Sequence, residues 1–585
     1  MASILKLTIS MLKKYLRPYL GHVIILALLL IIYNVIQIVN PQIIRIYIDA
    51  VNAPIIDRKV MLISSGIYIG INIIYQGFSV LVNYLSQNLA WATTNDLRID
   101  LTGHCMNLDM SFHNKMKTGE MIERIDGDAS TLSEFFSTFI IYFVGSILLI
   151  IGIIIAVFIE GWEFGLIFTG FTIVALAAFY FVRKITSPLW KKVRESTTAL
   201  YGNIEENISG LEDISANGAD EFIMRRFHEV SQTNYKNKAK AMIFSRVYWL
   251  LNIVMWAVIN ITILVVSYYL SDRLGLSAEG GGTLFLLLSY GTNLLFPLRL
   301  ILWQIEQMQN SLANIERIDE FFNLKSKIID EGIHKLIEDK MHLKFNRINF
   351  SYNEEDLVLQ KISFDLTPER KLGLVGHTGC GKTTLARLIF RLHDPQSGEI
   401  LINDINTKDY ILKELRKSIA YVTQDVELFK ASIKDNITFF DKTIPTEDVL
   451  RVINEVGLGP WLDQLENGLE TVILSEECGL SAGEEQLLAL SRAFLKNPKL
   501  VILDEASSRL DPATERQIDI ALDRLMEGRS AIIIAHRLST LHKVDDILIL
   551  KKGEIVEYGE RNQLISEPTS EFSKLLQRGI EEVLQ

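Results

Sequence analysis

The sequence has little cysteine, no basic cluster, and long runs in its first half with no formal charge at all. Three cysteines in 585 residues, Cys105, Cys380 and Cys478, stand far apart and without metal-ligand spacing, which excludes a disulfide framework and a zinc centre. Lys and Arg number 59 against 70 Asp and Glu, a formal net charge of −11. With no basic run able to neutralise a row of phosphates, nucleic acid is excluded as a partner. No small-residue cleavage pattern follows Lys6, Lys13, Lys14 and Arg17. The apolar stretch after them is too long for the core of a signal peptide, so it is expected to stay as a membrane span.

What is present is hydrophobicity in blocks. Apolar residues make up 49% of the chain, and mean hydropathy is +0.22 despite 22% charged residues. A helix crossing a hydrocarbon core of about 30 Å needs about 20 apolar residues. Six windows meet that requirement, at about 19–44, 61–95, 135–159, 164–182, 247–271 and 280–300; the first five carry no Asp, Glu, Lys or Arg, and the sixth reaches Arg299. Buried helices of a large soluble protein are a poor alternative, because those are shorter and amphipathic.

The connections after the first, third and fifth windows are short and poor in Lys and Arg. Those after the second and fourth, roughly 96–134 and 183–246, are long, polar and of helical composition. Arg98, Lys115, Lys117 and Arg124 lie in the first, and Arg183, Lys184, Lys191 and Lys192 are among the basic residues of the second. Positive charge marks the cytoplasmic side, so both long loops belong there, and an even number of spans puts both termini there too. An uncharged helix over 61–95 would be about 50 Å long at 1.5 Å per residue, so helices are expected to run on into the cytoplasm. Asn34, Gln37, Asn40, Asn252, Asn260 and Asn293 lie inside spans as candidate ligand contacts, with hydrogen bonding between helices as the competing role. Arg299 is read as reaching the headgroups from the inner end of the sixth span.

The second half carries the chemistry. Gly376-His377-Thr378-Gly379-Cys380-Gly381-Lys382-Thr383 follows the strand-like Lys371–Val375 and precedes the helix-like Leu385–Leu392. This is a phosphate loop in its required strand–loop–helix setting. Its glycines let backbone N–H groups close on phosphates at a helix N-terminus. Lys382 is expected to reach the β- and γ-phosphates and the Thr383 hydroxyl to bind Mg²⁺, with Thr384 beside it. Downstream, the apolar run Leu500–Leu503 ends in Asp504-Glu505. Asp504 suits the Mg²⁺ shell, and Glu505 is placed to act as general base on the attacking water. His536 follows a second apolar run, Ala531–Ile534, and is a candidate to hold the γ-phosphate or the water in line.

With these residues in order, the second half resembles the nucleotide-binding domain of ABC transporters along nearly its whole length. Leu480-Ser481-Ala482-Gly483-Glu484-Glu485-Gln486 is similar to the family's signature, L-S-x-G-x-x-Q, in which Ser481, Gly483 and Gln486 match. Gln424 corresponds to the glutamine that senses Mg²⁺ and contacts the membrane domain, Tyr352 to an aromatic stacking on adenine, Asp511 to the D-loop, and His536 to the switch histidine. The first half resembles the family's exporter membrane domain. Phe112-His113-Asn114 through Asp126 looks like its first coupling region, and Gly202 through Ala219 occupies the place of the second. The resemblance implies an all-α six-helix transmembrane domain at 1–325 and an α/β P-loop NTPase domain at 340–585. It also implies ATP and Mg²⁺ as cofactors. The expected activity is ATP hydrolysis coupled to export of a hydrophobic or amphipathic drug, lipid or peptide. An importer usually keeps these parts on separate chains, and a nucleotide-gated channel or regulatory ATPase would not need Glu505.

In this family ATP sits between the phosphate loop of one domain and the signature of another, so two half-transporter chains must pair. The signature here has Ala482 where Gly is usual and Glu484 where Gln is usual, and Arg509 replaces a small residue in the D-loop. A carboxylate near a γ-phosphate is unfavourable unless it points away. A heterodimer, in which this chain hydrolyses ATP and lends a weak signature to its partner, is narrowly preferred over a homodimeric exporter or lipid flippase. Membrane lipids are the other expected partners. An Ile-, Lys- and Asn-rich chain with neither signal nor transit peptide is read as a bacterial protein of the plasma or inner membrane, multi-pass, with its ATPase domain cytoplasmic.

Overall fold

A computed structural model describes residues 7, 10–11, 13–53, 57–131, 139–269, 281–338, 340–353, 356–423, 426–473, 480–504, 512–535 and 538–577. The chain divides into two compact units, 1–106 with 118–324, and 107–117 with 325–585.

The first unit is helical. Its long helices are α1 (Leu20–Asn52), α2 (Arg58–Asn107), α4 (Gly145–Glu160), α5 (Trp162–Ser209), α6 (Asp220–Tyr269) and α7 (Gly281–Asn323), while the short α3 (Met110–Lys115), which follows α2 in the chain, belongs to the second unit. Among the described residues, six helices are long and apolar enough to cross a membrane. Helices are the form such segments must take, because hydrocarbon offers backbone N–H and C=O groups no other partner. At 50, 48 and 50 residues, α2, α5 and α6 are each about 70–75 Å long, more than twice the hydrocarbon thickness.

Phe164, Phe168, Phe179, Ile259, Leu286 and Tyr290 are buried between helices, whereas Ile24, Ile73, Ile155 and Val174 stand exposed on outer faces. That inside-out distribution suits lipid as solvent. Only Gly161 separates α4 from α5, and the hairpin closes tightly: a Cβ on Gly165 would lie 2.3 Å from the Phe158 ring.

The sequence pattern ends the first span at Ile44, before Arg45, yet α1 continues to Asn52. The reason is a charge pair. Arg45 donates to both carboxylate oxygens of Glu160 at 2.7 Å each, and Glu160 is the last residue of α4. Around this pair, Gln42 donates to Glu160 and to the Tyr290 hydroxyl, and that hydroxyl donates to the Ile38 carbonyl at 2.8 Å. Gly282 N–H donates to Asp49. Ends of α1, α4 and α7 are thereby tied together by polar groups that satisfy one another.

The second unit is built on two sheets. A four-stranded antiparallel sheet has the order β2-β1-β4-β5, with β1 at Leu343–Phe350, β2 at Leu359–Leu366, β4 at Ser397–Ile402 and β5 at Ile405–Asn406. A six-stranded sheet has the order β10-β9-β3-β8-β7-β6. Its strands are β3 (Lys371–Val375), β6 (Ile419–Val422), β7 (Leu500–Asp504), β8 (Ser530–Ile534), β9 (Asp546–Lys551) and β10 (Glu554–Glu560). Every pairing in it is parallel except that of β9 with β10. Buried on both faces, β7 and β8 are apolar over Leu500–Leu503 and Ala531–Ile534, as parallel strands covered by helices must be. One core, with Leu343, Ile362, Leu385 and Ile402, lies toward the antiparallel sheet; the other, with Val449, Val452, Leu487 and Ile518, lies under the helices.

The Arg45–Glu160 pair gives a test. Removing one member leaves a charge without its partner, so Arg45→Met is expected to destabilise the protein by about 1–3 kcal/mol. The double variant Arg45→Met/Glu160→Leu recovers most of that loss. Thermal unfolding of the detergent-solubilised protein measures both, and equal midpoints for single and double variants would contradict the pairing.

Candidate functional site: a phosphate loop facing a carboxylate

Ligands gather at the carboxyl ends of strands in open α/β sheets, and β3 delivers the phosphate loop there from between β8 and β9. The loop ends where α8 (Lys382–Ile389) begins. Gly381 has φ +111°, and a Cβ on it would come within 2.6 Å of Leu359 Cδ2. A Cβ on Gly376 would meet the Leu550 carbonyl oxygen at 2.4 Å. Only glycine lets the backbone turn and pack this closely. The tip residues His377, Thr378 and Gly379 are exposed, so their N–H groups are open to a ligand, whereas Cys380 is buried. Burial pushes the Cys380 thiol up despite Lys382 nearby, which keeps it protonated and removes it as a nucleophile.

Lys382 is buried, and its Nζ donates to the carbonyls of Gly376 (2.6 Å) and His377 (3.2 Å). The ammonium is thus folded across the mouth of its own loop, where a phosphate would claim it. Next to it, the Thr383 hydroxyl donates to Asp504 Oδ2 at 3.4 Å. Asp504 ends β7 and is itself buried. A hydroxyl and a carboxylate side by side are the kind of sparse hard-oxygen set that Mg²⁺ takes. Among the described residues no group of three His, Cys, Asp or Glu is placed to hold a metal ion.

Tyr352 lies at the flank of this loop. Its hydroxyl is 3.1 Å from that of Thr384, and Arg387 donates to it at 3.3 Å. Phe350 and His393 pack edge-on against its ring. Held from three sides and still 37% exposed, the ring offers a face for a flat base. Gln424, Glu505, Asp511 and His536 lie outside the described residues.

The signature turn resolves an oddity of the sequence. Ser481 caps α9 (Ala482–Lys496). Its hydroxyl accepts from Glu484 N–H at 3.3 Å, while the Glu484 carboxylate accepts from Ser481 N–H at 2.7 Å. This reciprocal capping box turns the unusual carboxylate back on its own helix, where the positive end of the dipole stabilises it. Ser481 and Ala482 are exposed; Gly483 and Gln486 are buried. A Cβ on Gly483 would sit 1.9 Å from Thr514 Cγ2, in α10 (Pro512–Met526). Gly483 is therefore required by packing, and Ser481 and Ala482 are the signature residues that face outward.

Three residues of this region escaped the sequence reading. Tyr421, in β6, donates its hydroxyl to Asp504 Oδ2 at 3.1 Å; burial first, and then the Asp504 charge, push its own acidity well down. Arg387 and His393 support Tyr352. Burial and the Arg387 charge lower the His393 pKa, so it is a neutral ring near neutral pH. Its Nδ1 lies 3.3 Å from the Ser111 hydroxyl of α3, and Asp109 caps α3 by accepting from Ser111 N–H and Phe112 N–H.

The capping box can be tested directly. Glu484→Ala is expected to cost about 1 kcal/mol of stability, while Glu484→Gln, which can also complete the box, costs little. Denaturation of the full chain read in the second unit checks this, and equal losses for both variants would count against the cap.

Comparison with known proteins agrees with this geometry. Residues 23–295 match the family described as ABC transporter transmembrane region, and residues 359–508 match the family described as ABC transporter. An ATP-dependent lipid A-core flippase of Pseudomonas syringae pv. tomato is 29% identical over 588 residues, covering 97% of this chain and 96% of that protein. The uncharacterized ABC transporter ATP-binding protein YknV of Bacillus subtilis is 31% identical over 576 residues, covering 94% of this chain and 91% of that one. Among solved structures, a bacterial Atm1-family ABC exporter with ATP bound shares the fold with a TM-score of 0.79 at 21% identity, covering 95% of this chain and 99% of that chain. The protein is a multi-pass protein of the bacterial inner membrane, with its ATPase unit in the cytoplasm. It belongs to the ABC transporters, as an exporter half-transporter that joins a transmembrane region and a transport-coupled ATPase in one chain.

Proposed function

We propose that two copies of this chain pair head to tail and use ATP hydrolysis to export an amphipathic substrate. In this reading residues 1–325 form the transport domain and residues 340–585 the nucleotide-binding domain. The observation that carries it is the Thr383 hydroxyl set against the Asp504 carboxylate beneath a loop that only glycines can form.

Lys382 exchanges its two loop carbonyls for the β- and γ-phosphates, a charge-assisted contact stronger than either neutral one. The exposed stretch His377, Thr378 and Gly379 of the loop running from Gly376 to Gly381 turns its N–H groups to the phosphates, and Tyr352 stacks on adenine. Thr383, Asp504 and Gln424 would hold Mg²⁺, which when bound neutralises charge developing on the transferred phosphoryl group. Glu505 takes the proton of the attacking water. His536 orients that water, and Asp511 contacts the facing protomer. Ser481, Gly483 and Gln486 of the second copy close the site.

A homodimer is favoured over a heterodimer because the electrostatic ground for doubting the signature, the Glu484 carboxylate, has gone. The Glu484 carboxylate is engaged with Ser481 N–H and is not left to repel a γ-phosphate. Relatives named as lipid A-core flippases favour a lipid-like cargo among drug, lipid and peptide.

Glu505→Gln in the full-length protein should retain ATP binding and lose turnover by at least about 100-fold, within the range expected for removal of a general base. Lys382→Ala should weaken nucleotide binding itself. Both are read by nucleotide binding and phosphate release in reconstituted membranes. Near-normal hydrolysis by Glu505→Gln would overturn the assignment of the base, and robust ATPase only with a different second chain would restore the heterodimer.

A further inference from the structure

The transport unit contains a cavity of about 690 Å³ lined from α1, α2, α6 and α7, a size that accommodates a small molecule or the head and upper chain of a lipid. We propose that this cavity takes an uncharged amphiphile whose polar part is rich in hydroxyl or amide groups. This rests on the export reading above and adds the chemical class of the cargo.

Hydrogen-bond accounting is the first argument. Several polar groups of the lining are already engaged. Asn40 and Asn72 exchange two hydrogen bonds at 3.1 and 3.3 Å. The Tyr75 hydroxyl meets that of Tyr33 at 2.6 Å, and Trp256 donates to the Thr292 hydroxyl at 3.2 Å. Gln37, Tyr68, Ser289 and Asn293 also line the cavity, and among the described residues their side chains have no hydrogen-bond partner, although the Tyr68 carbonyl accepts from Asn72. All four are half-buried. Ser289 and Asn293 are four residues apart in α7, hence on one face, while Gln37 comes from α1 and Tyr68 from α2. Groups from three helices thus converge with bonding capacity unspent. Amides and hydroxyls each donate and accept, so their complement is a group that does the same.

Charge is the second argument. Among the described residues, no Asp, Glu, Lys, Arg or His lines the cavity. The nearest basic group along α1, Arg45, is committed to Glu160. An ionised headgroup would lose its hydration here without meeting a counter-charge, a loss that hydrogen bonds to neutral amides do not offset. The remaining walls are apolar: Tyr68, Tyr75, Trp256 and Phe285 supply rings, and Ile44 and Leu264 supply aliphatic surface. Rings could draw a cation by their faces, so a cationic amphiphile is the strongest rival.

The test uses the full-length protein in phosphatidylcholine nanodiscs with three probes of equal chain length: a glucosyl diacylglycerol, a phosphatidylglycerol and an alkyl trimethylammonium. Binding is read as the change in Trp256 emission, taken as the difference between wild type and Trp256→Phe, and it needs no ATP turnover. ATPase stimulation is read separately. The neutral probe should saturate at least tenfold more tightly than either charged one. Gln37→Leu/Asn293→Leu should remove that preference, and Asn293→Lys should admit the anionic probe. Tighter binding of the anionic or cationic probe, equal binding of all three, or no saturable binding with the lining cross-linked to a second copy would each overturn the proposal. Absence of ATPase activity with neutral-probe selectivity intact would instead count against the export reading alone.

Discussion

In hydrocarbon a polar group must find its partner inside the protein or leave the membrane, and the transport unit is organised around that constraint. The backbone meets it by forming helices. Side chains meet it locally where they can: Thr93, Thr169 and Thr172 each donate back to a carbonyl of their own helix. Larger groups need another helix. Arg45 reaches Glu160, Asn40 reaches Asn72, and Tyr290 reaches the Ile38 carbonyl. These cross-helix bonds set which helices are neighbours, while ring packing by Phe164, Phe168 and Phe179 fills the space between them.

The ATP-binding unit answers a different constraint, that of backbone approach. Gly381 and Gly376 allow the loop to lie against Leu359 and the Leu550 carbonyl, which fixes the N-terminus of α8 and sets Thr383 toward the end of β7. Parallel pairing of β6 with β7 then brings Tyr421 to the same carboxylate from the other side. Asp504 is therefore held by two hydroxyls at a strand end. One sheet thus determines both the position and the orientation of the group expected to take the metal.

Much of this was legible in the sequence because the signals are local. Uncharged runs gave the helices of the transport unit, and the phosphate loop is a contiguous pattern whose strand and helix lie on either side of it. Legibility failed where a residue's meaning depends on a distant partner. Arg45 looked like the end of a span because Glu160 lies 115 residues away. Tyr421 is an unremarkable aromatic in a strand until pairing sets it beside Asp504. The Glu484 carboxylate looked like a defect because composition cannot tell whether a side chain faces outward or folds back on its own helix cap. In that last case the partner was only three residues away, and the S-x-x-E pattern of a capping box was there to be read.

The account rests finally on nucleotide bound where two copies of this chain meet. Native mass spectrometry of the Mg-ATP-loaded, full-length protein released from nanodiscs measures that arrangement. The account predicts two identical chains carrying two nucleotides. A single chain that binds and hydrolyses ATP on its own, or a dimer that retains only one nucleotide at saturation, would contradict it.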